Sequence, residues 1–191
     1  MIALTRKMLA SRALRFLCPR VTRRFIRQND GAAAVEFGLV AAPFLALIFA
    51  IMETALVFFA GQTMETAAAD TGRLIMTGQA KALGITDQAT FKAEVCKRIF
   101  ALFDCPGKML VDVRKYTSLA SADLSKPIDS TTGELKNDFK YEQTVAGDLV
   151  IVRLFYEYPI YVSQLGLNLT DMGGNKRLLV ATSAFRNEPF Q

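Results

Sequence analysis

The sequence contains no histidine and no tryptophan, and it has only three cysteines among its 191 residues. Histidine is the commonest general base and the commonest metal ligand in proteins, so the chain lacks the side chain that most often fills either role. Acidic residues in the C-terminal part are scattered, and no glycine-rich phosphate-binding loop follows a predicted strand. We therefore expect no enzymatic activity, no cofactor, no metal site and no small-molecule substrate.

Positive charge is concentrated at the N-terminus. Residues 1–30 contain eight Lys or Arg residues and one acid, Asp30, for a net charge of +7, whereas the remaining 161 residues contain 15 basic and 17 acidic residues, for a net charge of −2. A basic segment of this kind is found in nucleic-acid-binding proteins and beside membrane spans. Because it directly precedes an apolar run, we expect it to set membrane topology and contact anionic lipid, with no nucleic acid as partner.

The longest apolar run begins at Phe37. No charged residue occurs before Glu53, and apolar residues then continue to Ala60. A helix of this length measures about 36 Å, enough to cross a hydrocarbon core about 30 Å thick. The basic flank predicts a cytoplasmic N-terminus, since residues 61–72 on the other side contain two acids and no basic residue. Two alternatives are a buried core helix and a cleaved secretory signal, although the run is too long and too acidic for a signal core.

The junction before this run reads GAAAVEF, from Gly31 to Phe37. Glu36 is unusual there, because a carboxylate at the centre of a span costs about 2.5–3.5 kcal/mol. If the chain were cut after Gly31, Ala32 would carry a free α-amino group about one helical turn from Glu36. Glu36 would then face that amine or the amine of a neighbouring subunit. The alternative is an interfacial acid whose side chain reaches solvent.

The stretch from Gly31 to Ala80, with its Gly-x4-Glu-Phe junction and apolar helix, resembles the TadE-like family. These proteins are minor pseudopilins of the tight-adherence (Flp-type) pilus system. The closing segment ATSAFRNEPF, residues 181–190, resembles the C-terminal end of that family. The resemblance implies a bacterial inner-membrane protein with a periplasmic domain, acting in pilus assembly alongside other pilin-like or TadE-like helices.

The same resemblance implies that a prepilin peptidase cuts after Gly31 and that Glu36 directs processing and assembly. Many members have tyrosine or leucine where Phe37 stands, so cleavage of this chain is left open. The alternative function is that of an uncleaved, single-pass, membrane-tethered module whose outer domain binds a ligand.

Small residues recur at every fourth position of the span, a spacing that lets a partner helix approach closely in lipid, although an alanine-rich composition alone would also produce it. Pro43 removes one backbone hydrogen bond and predicts a kink or a flexible point. We expect Glu53 near the outer interface, reaching solvent or pairing with a basic group of a partner helix. The helical pattern continues to about Thr77, with breaks near Gly78 and Gly84. The small residues are Ala34, Gly38, Ala42, Ala46 and Ala50.

The predicted fold class is α+β, since the helices come first and the strands afterwards. A long N-terminal transmembrane helix continues as a rod, and a small head with a short helix and an antiparallel sheet of three or four strands follows it. The predicted segments are a basic cytoplasmic leader at 1–31, a transmembrane helix at 32–60, its extramembrane continuation and hinge at 61–84, and a periplasmic α+β domain at 85–191.

Within the head, an amphipathic helix is predicted from Asp87 to Phe103, with Thr86 or Asp87 as its cap and Cys105-Pro106-Gly107 ending it. Phe91, Val95, Ile99, Leu102 and Phe103 share its apolar side. Alternating and β-branched patterns predict the strands, and Pro159 predicts an edge or a bend. The predicted strands are Lys108–Tyr116, Asp148–Tyr161 and Lys176–Phe185, with a loop at Ser118–Asp138.

Two cysteines lie in the head and one in the leader. Outside the membrane the environment is oxidising, so we expect a disulfide between Cys96 and Cys105, worth about 2–3 kcal/mol by the loop-entropy estimate. Two buried thiols are the alternative. Cys18 lies in the basic leader, where we expect a reduced thiol or a residue removed by processing.

Overall fold

The computed structural model describes residues 31–99, 104–129, 131–161 and 169–190. The basic leader at 1–30, together with Cys18, lies outside the described residues. The fold is α+β, with a long apolar helix followed by a head of short helices and a three-stranded antiparallel sheet, which confirms the predicted class. The elements are α1 (Ala32–Met76), α2 (Gln79–Ala82), α3 (Gln88–Cys96), α4 (Cys105–Lys108), β1 (Leu110–Tyr116), β2 (Leu149–Pro159) and β3 (Lys176–Arg186).

Helix α1 is 45 residues long and contains Pro43. Its apolar part is long enough to cross a membrane. The part up to Leu47 and the part from Ile48 onward belong to two different compact units of the chain. The helix ends at Met76, one residue before the predicted end, and Gly78 follows with a φ of 74°, a left-handed conformation that glycine adopts without steric cost.

From residue 50 onward, one face of α1 is buried. The buried positions recur at intervals of three and four residues, which is the spacing of a helix that packs one stripe against a core. Most of them join the same apolar cluster as the inner faces of β1 and β2. The buried residues are Ala50, Glu53, Val57, Ala60, Met64, Ala67, Ala68, Thr71, Gly72 and Ile75.

The sheet has the order β1-β2-β3, and both pairings are antiparallel. The central strand, β2, is buried on both faces, because Val152 and Leu154 belong to the core that α1 covers while Arg153 and Phe155 are buried on the opposite face. The chain between β1 and β2 covers that opposite face. There the ring of Phe139 lies 5.0 Å from the ring of Phe155.

The helix predicted to reach Phe103 is shorter than expected. Helix α3 begins after Asp87, whose side chain forms a capping box with Thr90, and it ends at Cys96. Phe91, Val95 and Ile99 are buried, while Leu102 and Phe103 lie outside the described residues.

The disulfide explains why the helix stops. Cys96 and Cys105 are joined with their Cα atoms 5.6 Å apart. If the helix continued from Cys96 to Cys105, it would separate their Cα atoms by about 13 Å, which is too far for a disulfide. The helix must therefore end before Cys105 for this bond to form. Cys105-Pro106-Gly107 accordingly lies in the short helix α4, which Asp104 caps, instead of ending α3.

The predicted strands are confirmed to within two residues at each end. Pro159 is the last residue of β2, and the pairing of β2 with β1 has already ended at Phe155. Pro159 therefore occupies a position with only one neighbouring strand, where its missing N–H is tolerated. At the opposite end of the sheet, the C-terminal tail returns to α1, where the backbone N–H of Glu188 donates to the carbonyl of Met76.

Candidate membrane anchor and processing site

The proposed processing residues lie at the beginning of α1. Ala32 is the first residue of the helix, and Gly31, Ala32, Glu36 and Phe37 are all exposed. Ala32 and Glu36 are four residues apart in a regular helix, so they lie on the same face. Glu36 has no ion-pair partner among the residues that the structure describes. Within residues 31–190 as described, a side chain added at Gly31 would meet no atom within 4 Å, and Glu36 is exposed.

The stripe of small residues divides into an open part and a covered part. Ala34, Gly38 and Ala42 are exposed, and Ala46 is half-buried. A side chain added at Gly38 would meet no atom within 4 Å. Ala50, by contrast, is buried. Packing of a partner helix on this stripe stays a prediction, and Ala50 is not accessible to such a helix.

Pairing of Glu53 with a partner helix stays a prediction, but Glu53 does not reach solvent, the other environment expected for it. It is buried, and its Oε1 accepts a hydrogen bond from the backbone N–H of Tyr161, at the residue after the end of β2. Burial, and secondly the charge of Glu53, raise the pKa of the Tyr158 phenol above its ordinary value. The apolar helix therefore holds a carboxylate whose partner belongs to its own chain.

The free face of α1 keeps its apolar character beyond Glu53. Leu56, Phe58 and Phe59 are exposed, and the next exposed side chain is the polar Gln62. The exposed side chains from Glu65 to Asp70 are polar or small. On this face the boundary between apolar and polar surface lies between Phe59 and Gln62.

A cluster of buried charged side chains lies in the head, on the face of the sheet away from α1. Asp112 accepts hydrogen bonds from Nε of Arg114 at 2.8 Å, from Nη2 of Arg153 at 3.2 Å and from the backbone N–H of Lys140 at 2.9 Å. The hydrogen bond to Asp112 is the main cause that raises the pKa of Arg114. Each charged group here has a partner, so the cluster fastens the β1–β2 connection onto the sheet.

Two features of the described residues bear on metal binding and on small cavities. The described part of the chain holds no group of three metal-ligating side chains. A cavity of about 170 Å³ lies beside the end of α1, between Ile75, Tyr141 and Phe190, and Lys81 is the only charged side chain in its lining.

The comparison with known families gives a match over the apolar helix. A family model described as TadE-like protein matches residues 31–73. The segment that carries the apolar helix resembles the TadE-like family. The TadE-like match begins at Gly31 and covers most of α1, including both Glu36 and Glu53. No curated protein and no solved structure matches the chain. The TadE-like match and the apolar helix together support a membrane-anchored, pilus-related protein.

Sequence reasoning identified the apolar helix and the disulfide pair, but it missed the partner of Glu53. The donor is a main-chain N–H that lies 108 positions away in the sequence. Because nearly every residue carries such a group, no residue type marks it in advance.

Proposed function

We propose that this protein is a minor pseudopilin that takes part in assembly of a Flp-type pilus. It is anchored in the bacterial inner membrane, with its N-terminus in the cytoplasm and the residues beyond about 61 in the periplasm. The observation that carries this proposal is the TadE-like match, which begins at the glycine of the processing junction and runs through the apolar helix.

Processing is proposed to remove residues 1–31. Gly31 precedes the first residue of α1 and is exposed, so a peptidase can reach the bond to Ala32 before the regular α-helix begins. Cleavage would create a positively charged amine at Ala32, one helical turn from the exposed carboxylate of Glu36. That pairing would lower the cost of holding Glu36 at the edge of the hydrocarbon.

Assembly is proposed to use the open part of the small-residue stripe. Ala34, Gly38 and Ala42 let a neighbouring helix approach closely at the cytoplasmic half of the span. Other pilin-like or TadE-like helices are the partners that this surface fits. The role is structural, and the chain needs no catalytic group of its own to perform it.

The experiment that tests processing is N-terminal sequencing and intact-mass measurement of protein extracted from membranes of cells with and without the prepilin peptidase. The proposal expects a chain that begins at Ala32 only when the peptidase is present. A chain that keeps its basic leader in the presence of the peptidase would contradict the proposed cleavage, and would favour an uncleaved, membrane-tethered binding module.

Glu36→Gln tests assembly, with Glu65→Gln as its matched control. Both are exposed acids of α1, but Glu65 lies beyond the apolar run. We expect Glu36→Gln to insert normally and to lose pilus assembly, because it removes the charge that the neighbouring amine would bind, whereas Glu65→Gln should assemble normally. Normal piliation of the Glu36→Gln strain would remove the proposed role of this residue.

A further inference from the structure

The two faces of α1 change character at different levels along its axis. On the free face, exposed apolar side chains continue as far as Phe59. On the opposite face, burial begins at Ala50, where the rest of the chain starts to cover the helix. Over about ten residues, the same turns of helix are therefore apolar on one side and covered by the head on the other.

The hydrogen bond between Glu53 and Tyr161 marks how far the head reaches. Glu53 precedes Ala60, the end of the apolar run, by seven residues, or about 10 Å along a helix. The run of about 36 Å exceeds a hydrocarbon core of about 30 Å by about 6 Å, and this excess can extend beyond the core. The end of β2 thus reaches a level roughly 5–10 Å inside the outer edge of the hydrocarbon core.

The side chains at that level suit lipid. Tyr161 is 83% exposed, while the preceding Ile160 is buried in the core. Tyrosine has an apolar ring and a polar hydroxyl, and it is enriched where hydrocarbon meets the headgroups. Phe58 and Phe59 are exposed on α1 slightly further out. The aromatic side chains of both elements then lie within one interfacial layer.

We propose that the end of β2, at Tyr161, inserts into the outer leaflet of the membrane and rests among the acyl chains just below the phospholipid headgroups. The head is then seated on the bilayer instead of standing clear of it. This accounts for Glu53, because a carboxylate at that depth is costly unless protein surrounds it and donates to it, and the head supplies both. The occupant is lipid, since the exposed apolar face of α1 is continuous with this level.

The absence of tryptophan makes a direct test available. Tyr161→Trp introduces a single tryptophan at the proposed contact, and Val145→Trp is its matched control. Val145 is 62% exposed and lies at the opposite end of β2, where its carbonyl accepts the backbone N–H of Asp148. Each full-length variant is reconstituted in excess phosphatidylethanolamine–phosphatidylglycerol vesicles. Its emission is then measured with acyl-chain-brominated lipid and with aqueous acrylamide.

We expect Tyr161→Trp to emit at shorter wavelength than Val145→Trp, to be quenched by brominated lipid, and to be several-fold less sensitive to acrylamide. Equal acrylamide quenching of both variants would overturn the proposal. Protection from acrylamide without quenching by brominated lipid would also overturn it, because a protein surface such as a second copy would then cover the site.

Formation of the Cys96–Cys105 disulfide, seen on a non-reducing gel, checks that each variant folds. If Tyr161→Trp fails that check, Tyr161→Cys in a Cys18→Ser background, labelled with a small environment-sensitive fluorophore, replaces it, with the same expected quenching. The inference rests on α1 being a membrane anchor and not on cleavage after Gly31. N-terminal sequencing therefore tests the proposed cleavage, and lipid quenching tests the position of the head, each without depending on the other.

Discussion

Replacing Asp112 with alanine should destabilise the head more than any exposed acidic substitution. The Asp112 side chain is 2% exposed, and it binds two arginine side chains and one backbone N–H. Its removal leaves Arg153 nearly buried without a carboxylate partner. Breaking a buried pair in this way typically costs about 3–5 kcal/mol.

The structure narrows that range. Arg153 retains hydrogen bonds to the carbonyls of Asp123 and Ser125, and its guanidinium lies 5.1 Å from the centre of the Phe155 ring. These contacts still stabilise the buried Arg153 guanidinium when the Asp112 carboxylate is gone. We therefore expect the free energy of unfolding to fall by about 3 kcal/mol, the lower end of the range. Asp138→Ala is the matched control. Its side chain is 68% exposed and pairs with Arg114 and Lys140 at 3.4 and 3.6 Å. Such exposed pairs contribute about 0–1 kcal/mol.

Denaturant unfolding of the detergent-solubilised full chain, followed by circular dichroism, measures both variants. The reasoning predicts a clearly lower midpoint for Asp112→Ala and a small shift for Asp138→Ala. If the two midpoints fall by equal amounts, the buried network does not hold the β1–β2 connection on the sheet, and the argument from burial is wrong.

Two further substitution sets test the packing of α1 and the disulfide. Gly72→Ala places a methyl group 2.8 Å from Cε1 of Phe185, so we expect it to destabilise the protein by about 1–2 kcal/mol. In Gly61→Ala the added methyl group meets no atom within 4 Å, so this variant should stabilise the helix by about 0.5–1 kcal/mol. Equal melting temperatures would refute the predicted contact. Cys96→Ser should cost about 3 kcal/mol in unfolding experiments, and chemical reduction of the Cys96–Cys105 bond in the unaltered protein should cost the same. A reduced protein as stable as the oxidised one would contradict this.

The sequence by itself determined the features that depend on local periodicity and composition. The uncharged run after Phe37 predicted the apolar helix, and the spacing of Met64, Ala67 and Thr71 predicted the face that the structure buries. Alternation around Val111 and Val113 predicted β1, whose side chains at these positions lie in the core. These patterns are readable because side chains repeat with the period of the element that carries them.

Only the tertiary structure decided the length of α3 and the second covered face of the sheet. A helix that continued for nine residues from Cys96 could not bring the Cα atoms of Cys96 and Cys105 to 5.6 Å. Periodicity alone did not reveal whether the helix or the disulfide is present in this segment. Asp112 and Arg153 occupy alternate positions that a half-exposed strand would turn to solvent. They are buried because a connection without regular strands folds over them.

The same distinction applies to the anchor. The composition of residues 37–60 showed that the helix suits a membrane, but only the folded head showed that its outer turns are covered from Ala50 onward. Glu53 meets a main-chain N–H that the end of β2 brings to it. A contact between a side chain and a distant backbone group depends on where the chain folds, and backbone groups are chemically alike along the whole sequence.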